Sequence, residues 1–85
     1  MNNLDQYNFS NQIQQKIEHN DEITRTSLEI VVDSAQAIIP NIATMKSGDI
    51  QEQLEAIKEF LSNAEAAIQR KMALKNILAE LNNIN

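Results

Sequence analysis

Gly48 and Pro40 are the only glycine and the only proline in 85 residues, and they stand close together near the middle of the chain. Glycine and proline punctuate chains more strongly than any other residues. A multi-strand sheet needs a turn signal every eight to twelve residues or so. This sequence lacks them, so an all-α fold is expected. The clearest break is Lys46-Ser47-Gly48-Asp49. Gly48 can take a left-handed conformation there. Asp49 followed by Glu52 fits a capping-box-like helix start. Pro40, without an N–H, ends or kinks whatever helix precedes it, and can itself open one further turn.

Hydrophobic spacing fills in the rest. Phe9, Ile13 and Ile17 recur every four residues, which places them on one face of a polar, weakly amphipathic helix over about 4–19. His19-Asn20-Asp21-Glu22 offers capping residues for a second helix over about 21–39. Nothing there forces a break, so one continuous helix over about 5–39 is the alternative the sequence leaves open. Asp21 and Arg25 have the spacing of a favourable i, i+4 pair. Leu28, Val31, Val32, Ala35, Ile38 and Ile39 form a wide apolar stripe.

The most regular segment is a predicted helix over about 49–82. Phe60, Ala67, Leu74 and Leu81 repeat every seven residues. Ile57, Ala64 and Leu78 form an adjoining row that Lys71 interrupts. This is the pattern of a coiled-coil seam. Glu52, Glu55 and Glu59 lie near its start and Arg70, Lys71 and Lys75 in its second half, as the helix dipole favours. Residues 1–3 and 83–85 are expected to fray.

At 1.5 Å per residue, the last helix is about 50 Å long and the first two about 24 and 28 Å. Two all-α architectures follow. One is a long antiparallel helical hairpin. The other is a three-helix bundle with an overhanging C-terminal helix. In either case the stripe around Ile57, Phe60, Leu61, Ala64 and Ile68 is wider than one partner helix covers. Dimerisation into a four-helix-type core is therefore expected, or an obligate helical partner.

Chemistry is sparse. There is no cysteine, which removes disulfides and thiolate metal sites. His19 is the only histidine, and one imidazole cannot supply a zinc site. It reads as a solvated side chain at a helix junction. Glu22, Glu29 and Asp33 share a face, as do Glu52, Glu55 and Glu59, but solvated carboxylates have no reason to shift towards acid–base work. No phosphate-binding glycine loop, Glu-x-x-His or EF-hand spacing is present. No catalytic residue, cofactor or metal is expected.

Seven Lys and Arg against twelve Asp and Glu give a net charge of −5, which disfavours direct nucleic-acid binding. Arg70, Lys71 and Lys75 form the one basic cluster, read as dipole compensation. No stretch is long and apolar enough for a membrane span, and no secretory signal is evident, so a cytoplasmic location is expected. Eleven Asn, twelve Ile and five Lys against two Arg are the bias of an AT-rich coding sequence, in keeping with a bacterial or phage source.

The function class these features favour is a noncatalytic helical interaction module: a small adaptor, chaperone-like subunit or inhibitor acting through an apolar helix face. Two neighbouring classes share the features. One is a small subunit or chaperone of a bacterial secretion-type assembly. The other is an acidic phage-type inhibitor of a nucleic-acid-binding enzyme. The residues expected to form the core or the interaction face are Leu28, Val31, Val32, Ala35 and Ile38, with Ile57, Phe60, Leu61, Ala64, Leu74 and Leu78 facing them. If any of Asn63, Gln69 and Asn76 faces the seam, it would fix register.

Overall fold

The computed structural model describes residues 3–83. Two long helices, α1 (Asn3–Ile38) and α2 (Ser47–Asn83), pack against each other as an antiparallel hairpin. A 3₁₀ turn, Ile39–Asn41, starts the connection. The molecule measures 64 × 14 × 13 Å. Its radius of gyration is 19.1 Å, against about 12 Å for a compact domain of this length.

The break considered at residues 19–21 is absent, and so is the third helix it would have created. α1 runs through because the candidate caps are used otherwise. The Asn20 amide donates to the Lys16 carbonyl four residues back (2.8 Å), and the Thr24 hydroxyl donates to the Asn20 carbonyl (2.9 Å). Both are bonds a helix tolerates, and neither competes for the backbone N–H groups. Asp21 reaches α2 instead of pairing with Arg25. Arg25 pairs with Glu22, at 2.7 Å.

α1 stops at Pro40, which falls in the first positions of the 3₁₀ turn. The Asn41 side-chain amide donates to the Ala37 carbonyl (3.1 Å), satisfying one of the acceptors a helix end leaves open. The reversal thus occupies residues 39–46, just before the expected Lys46–Asp49. Gly48 is not left-handed. Among the described residues no φ is positive, and Gly48 lies inside the first turn of α2. Asp49 does not cap the helix either. The first backbone bonds run from the Asp49 and Ile50 N–H groups to the Lys46 carbonyl, so α2 starts two residues earlier than expected. At the other ends, Asn3, Asn82 and Asn83 fall within the helix bounds; residues 1–2 and 84–85, part of the ends expected to fray, lie outside the described residues.

The helices meet along one seam. On α2 it comprises Ile50, Gln53, Ile57, Phe60, Ala64, Ala67, Lys71, Leu74, Leu78 and Leu81, alternately three and four residues apart and all buried or half-buried. On α1 the same alternation runs through Gln6, Ser10, Ile13, Ile17, Asn20, Thr24, Ser27, Val31, Ser34 and Ile38. This is antiparallel coiled-coil packing. Ile13, Ile17 and Leu81 form a cluster with Leu74 and Leu78 at the end away from the turn. At mid-length, Ala64 and Ala67 (0% exposed) come level with Ser27 and Thr24, so small residues meet small residues. Cross-helix hydrogen bonds among the described residues hold the register. Gln6 donates to the Leu81 carbonyl (3.0 Å), Arg70 Nε to Asn20 Oδ1 (2.9 Å), and Lys71 Nζ to Asp21 Oδ1 (2.6 Å).

Candidate functional site

The α1 seam is half polar, so the hairpin leaves much of its apolar surface outside. Where that surface lies follows from helix geometry. In an antiparallel pair, each side of the seam is flanked by one row from each helix, and the two rows on a side face the same way. On one side α1 contributes Tyr7, Asp21, Leu28 and Ala35, and α2 contributes Leu54, Leu61, Ile68 and Lys75. The register brings Leu28 level with Leu61 and Ala35 level with Leu54. Just behind these rows stand Leu4, Arg25 and Val32 on α1 and Lys58, Glu65 and Met72 on α2.

Nearly every large exposed apolar residue of the helices belongs to this flank. Leu4, Tyr7, Leu28 and Val32 on α1 are exposed, as are Leu54, Leu61, Ile68 and Met72 on α2. Leu61 keeps 42% of its surface in water and Val32 52%. Ile39 and Ile42, in the connection, are also exposed. The opposite flank has Phe9 and Ile77 as its exposed large apolar residues and otherwise carries Lys16, Asn63 and Arg70, with Ile23 and Ile30 half-buried. Scattered apolar residues are ordinary on a protein surface; here those of the two helices are concentrated on one flank, among Asp21, Arg25, Lys58, Glu65 and Lys75.

The structure divides the sequence-predicted residues between seam and flank. Ile38 and Ala64 are buried, and Val31, Ile57, Phe60, Leu74 and Leu78 are half-buried in the seam. Leu28, Val32 and Leu61 are exposed on the apolar flank, with half-buried Ala35 at its edge. Asn63, Gln69 and Asn76 are all exposed, so none of them faces the seam. Most of the seam's polar members are on α1, and the sequence reading missed them. Ser10, Asn20, Thr24, Ser27 and Ser34 share the spacing of Ile13, Ile17, Val31 and Ile38, and that phase was the available signal.

Asn20 is buried, and both ends of its amide are bonded. It lies beside Asp21, so α2 is held at one level on both sides: Arg70 reaches Asn20 from the polar flank, and Lys71, from the seam, reaches Asp21 on the apolar flank. Of the basic residues read as dipole compensation, Arg70 and Lys71 are thus cross-helix contacts. The Lys71–Asp21 pair is partly solvated, with side chains 30% and 45% exposed, so it contributes about 1 kcal/mol at most.

A groove of about 340 Å³ lined by Lys16, His19, Asn20, Arg70, Ala73 and Leu74 is open to solvent. His19 is exposed. Among the described residues no three His, Asp or Glu side chains gather as metal ligands, and no helix is long and apolar enough to cross a membrane. No protein-family model, curated protein or solved structure matches the chain.

Proposed function

We propose that this chain is a noncatalytic helical protein–protein interaction module. Its apolar flank docks onto helices of a second chain, either another copy or an obligate helical partner, and completes a four-helix-type core. The observation that supports this is the one-sided placement of Leu28, Val32, Leu54, Leu61, Ile68 and Met72, exposed along a hairpin whose own seam is half polar. A helix gains most of its stability from covering its apolar face. Here a second face on each helix is left to cover, at about a right angle to the first, as in a four-helix bundle.

The test is site-specific photo-crosslinking in cells. A photoreactive residue at Leu61 is expected to form a defined protein adduct. The same residue at Glu55, on the outer polar face, is expected to form none. Absence of an adduct at both positions, with the protein folded and abundant, refutes the module reading.

A further inference from the structure

We infer that the occupant of the apolar flank is a second copy of this chain, docked with α2 antiparallel to the partner's α2 about a two-fold axis at Leu61. This rests on the module reading and goes further by naming the partner and the geometry.

The first support is the order of residues along the flank of α2. Leu54, Lys58, Leu61, Glu65 and Ile68 are spaced four, three, four and three residues apart. Reversed about Leu61, the series returns Leu54, Leu61 and Ile68 in register and Lys58 and Glu65 to within one residue, with the charges exchanged. A two-fold axis there sets Leu61 on the partner's Leu61 and Leu54 on the partner's Ile68. Lys58 comes level with the partner's Glu65, and the reciprocal pair forms on the other side of the axis. An isologous interface demands this self-complementarity. Within one chain Lys58 has only a long, exposed contact with Glu55, at 3.5 Å, so it is available to a partner. On α1, Leu28, level with Leu61, meets the partner's Leu28 across the same axis.

The second support is area. The chain exposes 6379 Å². A compact monomer of 9.6 kDa exposes about 5,100 Å², so the hairpin carries an excess of about 1,300 Å². A standard interface covers about 800 Å² on each partner. A flank running most of the length of a 64 Å rod supplies that area.

The chain has no cysteine, so engineered thiols report on single positions. In the purified full-length protein, Leu61→Cys is expected to form a disulfide-linked dimer on mild oxidation, and Glu55→Cys is not. Light scattering of the wild type at about 100 µM is expected to give twice the chain mass, the micromolar range being that of moderate affinity. Lys58→Glu creates two like-charge contacts and is expected to weaken the dimer about tenfold. Lys58→Glu with Glu65→Lys restores it. If Leu61→Cys links to Leu28→Cys in a mixture of the two variants but not to itself, α2 packs on the partner's α1 and the proposed axis is wrong. A wild-type monomer at that concentration also overturns the inference. If position 61 then captures a different protein in cells, only the second-copy inference has failed; if it captures nothing, the module reading has failed as well.

Discussion

Phe60 and Leu61 are neighbours in sequence, and the hairpin gives them opposite work. Phe60 is half-buried in the seam, level with Val31, whereas Leu61 points to the exposed flank. Replacing each with Asp separates the two faces. Removing a fully buried Phe side chain costs about 3–5 kcal/mol, which half-burial reduces to about 2. Placing Asp in the middle of a helix adds about 0.7 kcal/mol from propensity alone, and desolvating the charge adds more. Phe60→Asp therefore costs about 3 kcal/mol or more. At about 0.05–0.15 kcal/mol per residue, a chain of 85 residues has about 4–13 kcal/mol in total, and a half-polar seam puts this one towards the lower end. Leu61→Asp in the separate hairpin costs only the propensity difference, about 0.5 kcal/mol. Circular dichroism in dilute solution should show Phe60→Asp losing most of its helicity or its thermal stability. Leu61→Asp should stay helical and lose only its self-association by light scattering. Equal loss of helicity in both variants would show that the two residues share one core and that the division into seam and flank is wrong. A double charge reversal on the outer face, Glu55→Lys with Glu59→Lys, should alter neither property.

Three further substitutions probe the fold. Ala67→Leu forces a larger side chain between helices that meet through small residues at a fully buried position, and should lower stability by about 1–3 kcal/mol in urea denaturation. Lys71→Leu completes the apolar row between Ala64 and Leu78; the lost ion pair is partly solvated, so the net effect should be a gain of about 1 kcal/mol, read as a higher melting temperature. Gly48→Ala places a methyl group where nothing lies within 4 Å, on a backbone with negative φ in the first turn of α2, and should stabilise by about 0.5 kcal/mol; a loss would show that the turn needs glycine after all.

The parts of this fold legible in the sequence are those where apolar residues carry the periodicity. Phe60, Ala67, Leu74 and Leu81, with Ile57, Ala64 and Leu78, gave the phase of α2, and all of them face α1. α1 was harder because its apolar residues follow two phases at once. Ile13, Ile17, Val31 and Ile38 belong to the seam, and Leu28 and Val32 to the flank. Read together they make one wide stripe, and the polar seam members Asn20, Thr24 and Ser27 disappear into it. The turn misled for a different reason. Gly48 was the natural residue for a left-handed cap, but Pro40 together with the Asn41 side chain closes α1 without one. Glycine permits a positive φ; it does not require it.

The division of apolar residues on α1 also bears on how the molecule works. The residues facing α2 include Ser10, Asn20, Thr24, Ser27 and Ser34, while bulkier Leu28 and Val32 face outward. A hairpin selected only to stand alone would place the bulky residues inside, where each fully buried one contributes about 1.5–3 kcal/mol. The seam instead sets small residues against small residues at Ala64 and Ala67, and the Leu28 and Leu61 rows lie side by side on the exposed flank. On the proposed association, the inner contact sets the shape and the outer contact supplies much of the apolar burial. Stability and association should therefore be coupled. The melting temperature of the wild type should rise with protein concentration, as it must when the associated form is the better buried one. The melting temperature of Leu61→Asp should not depend on concentration. A wild-type melting temperature that stays constant across a hundredfold range would show that the seam alone carries the fold.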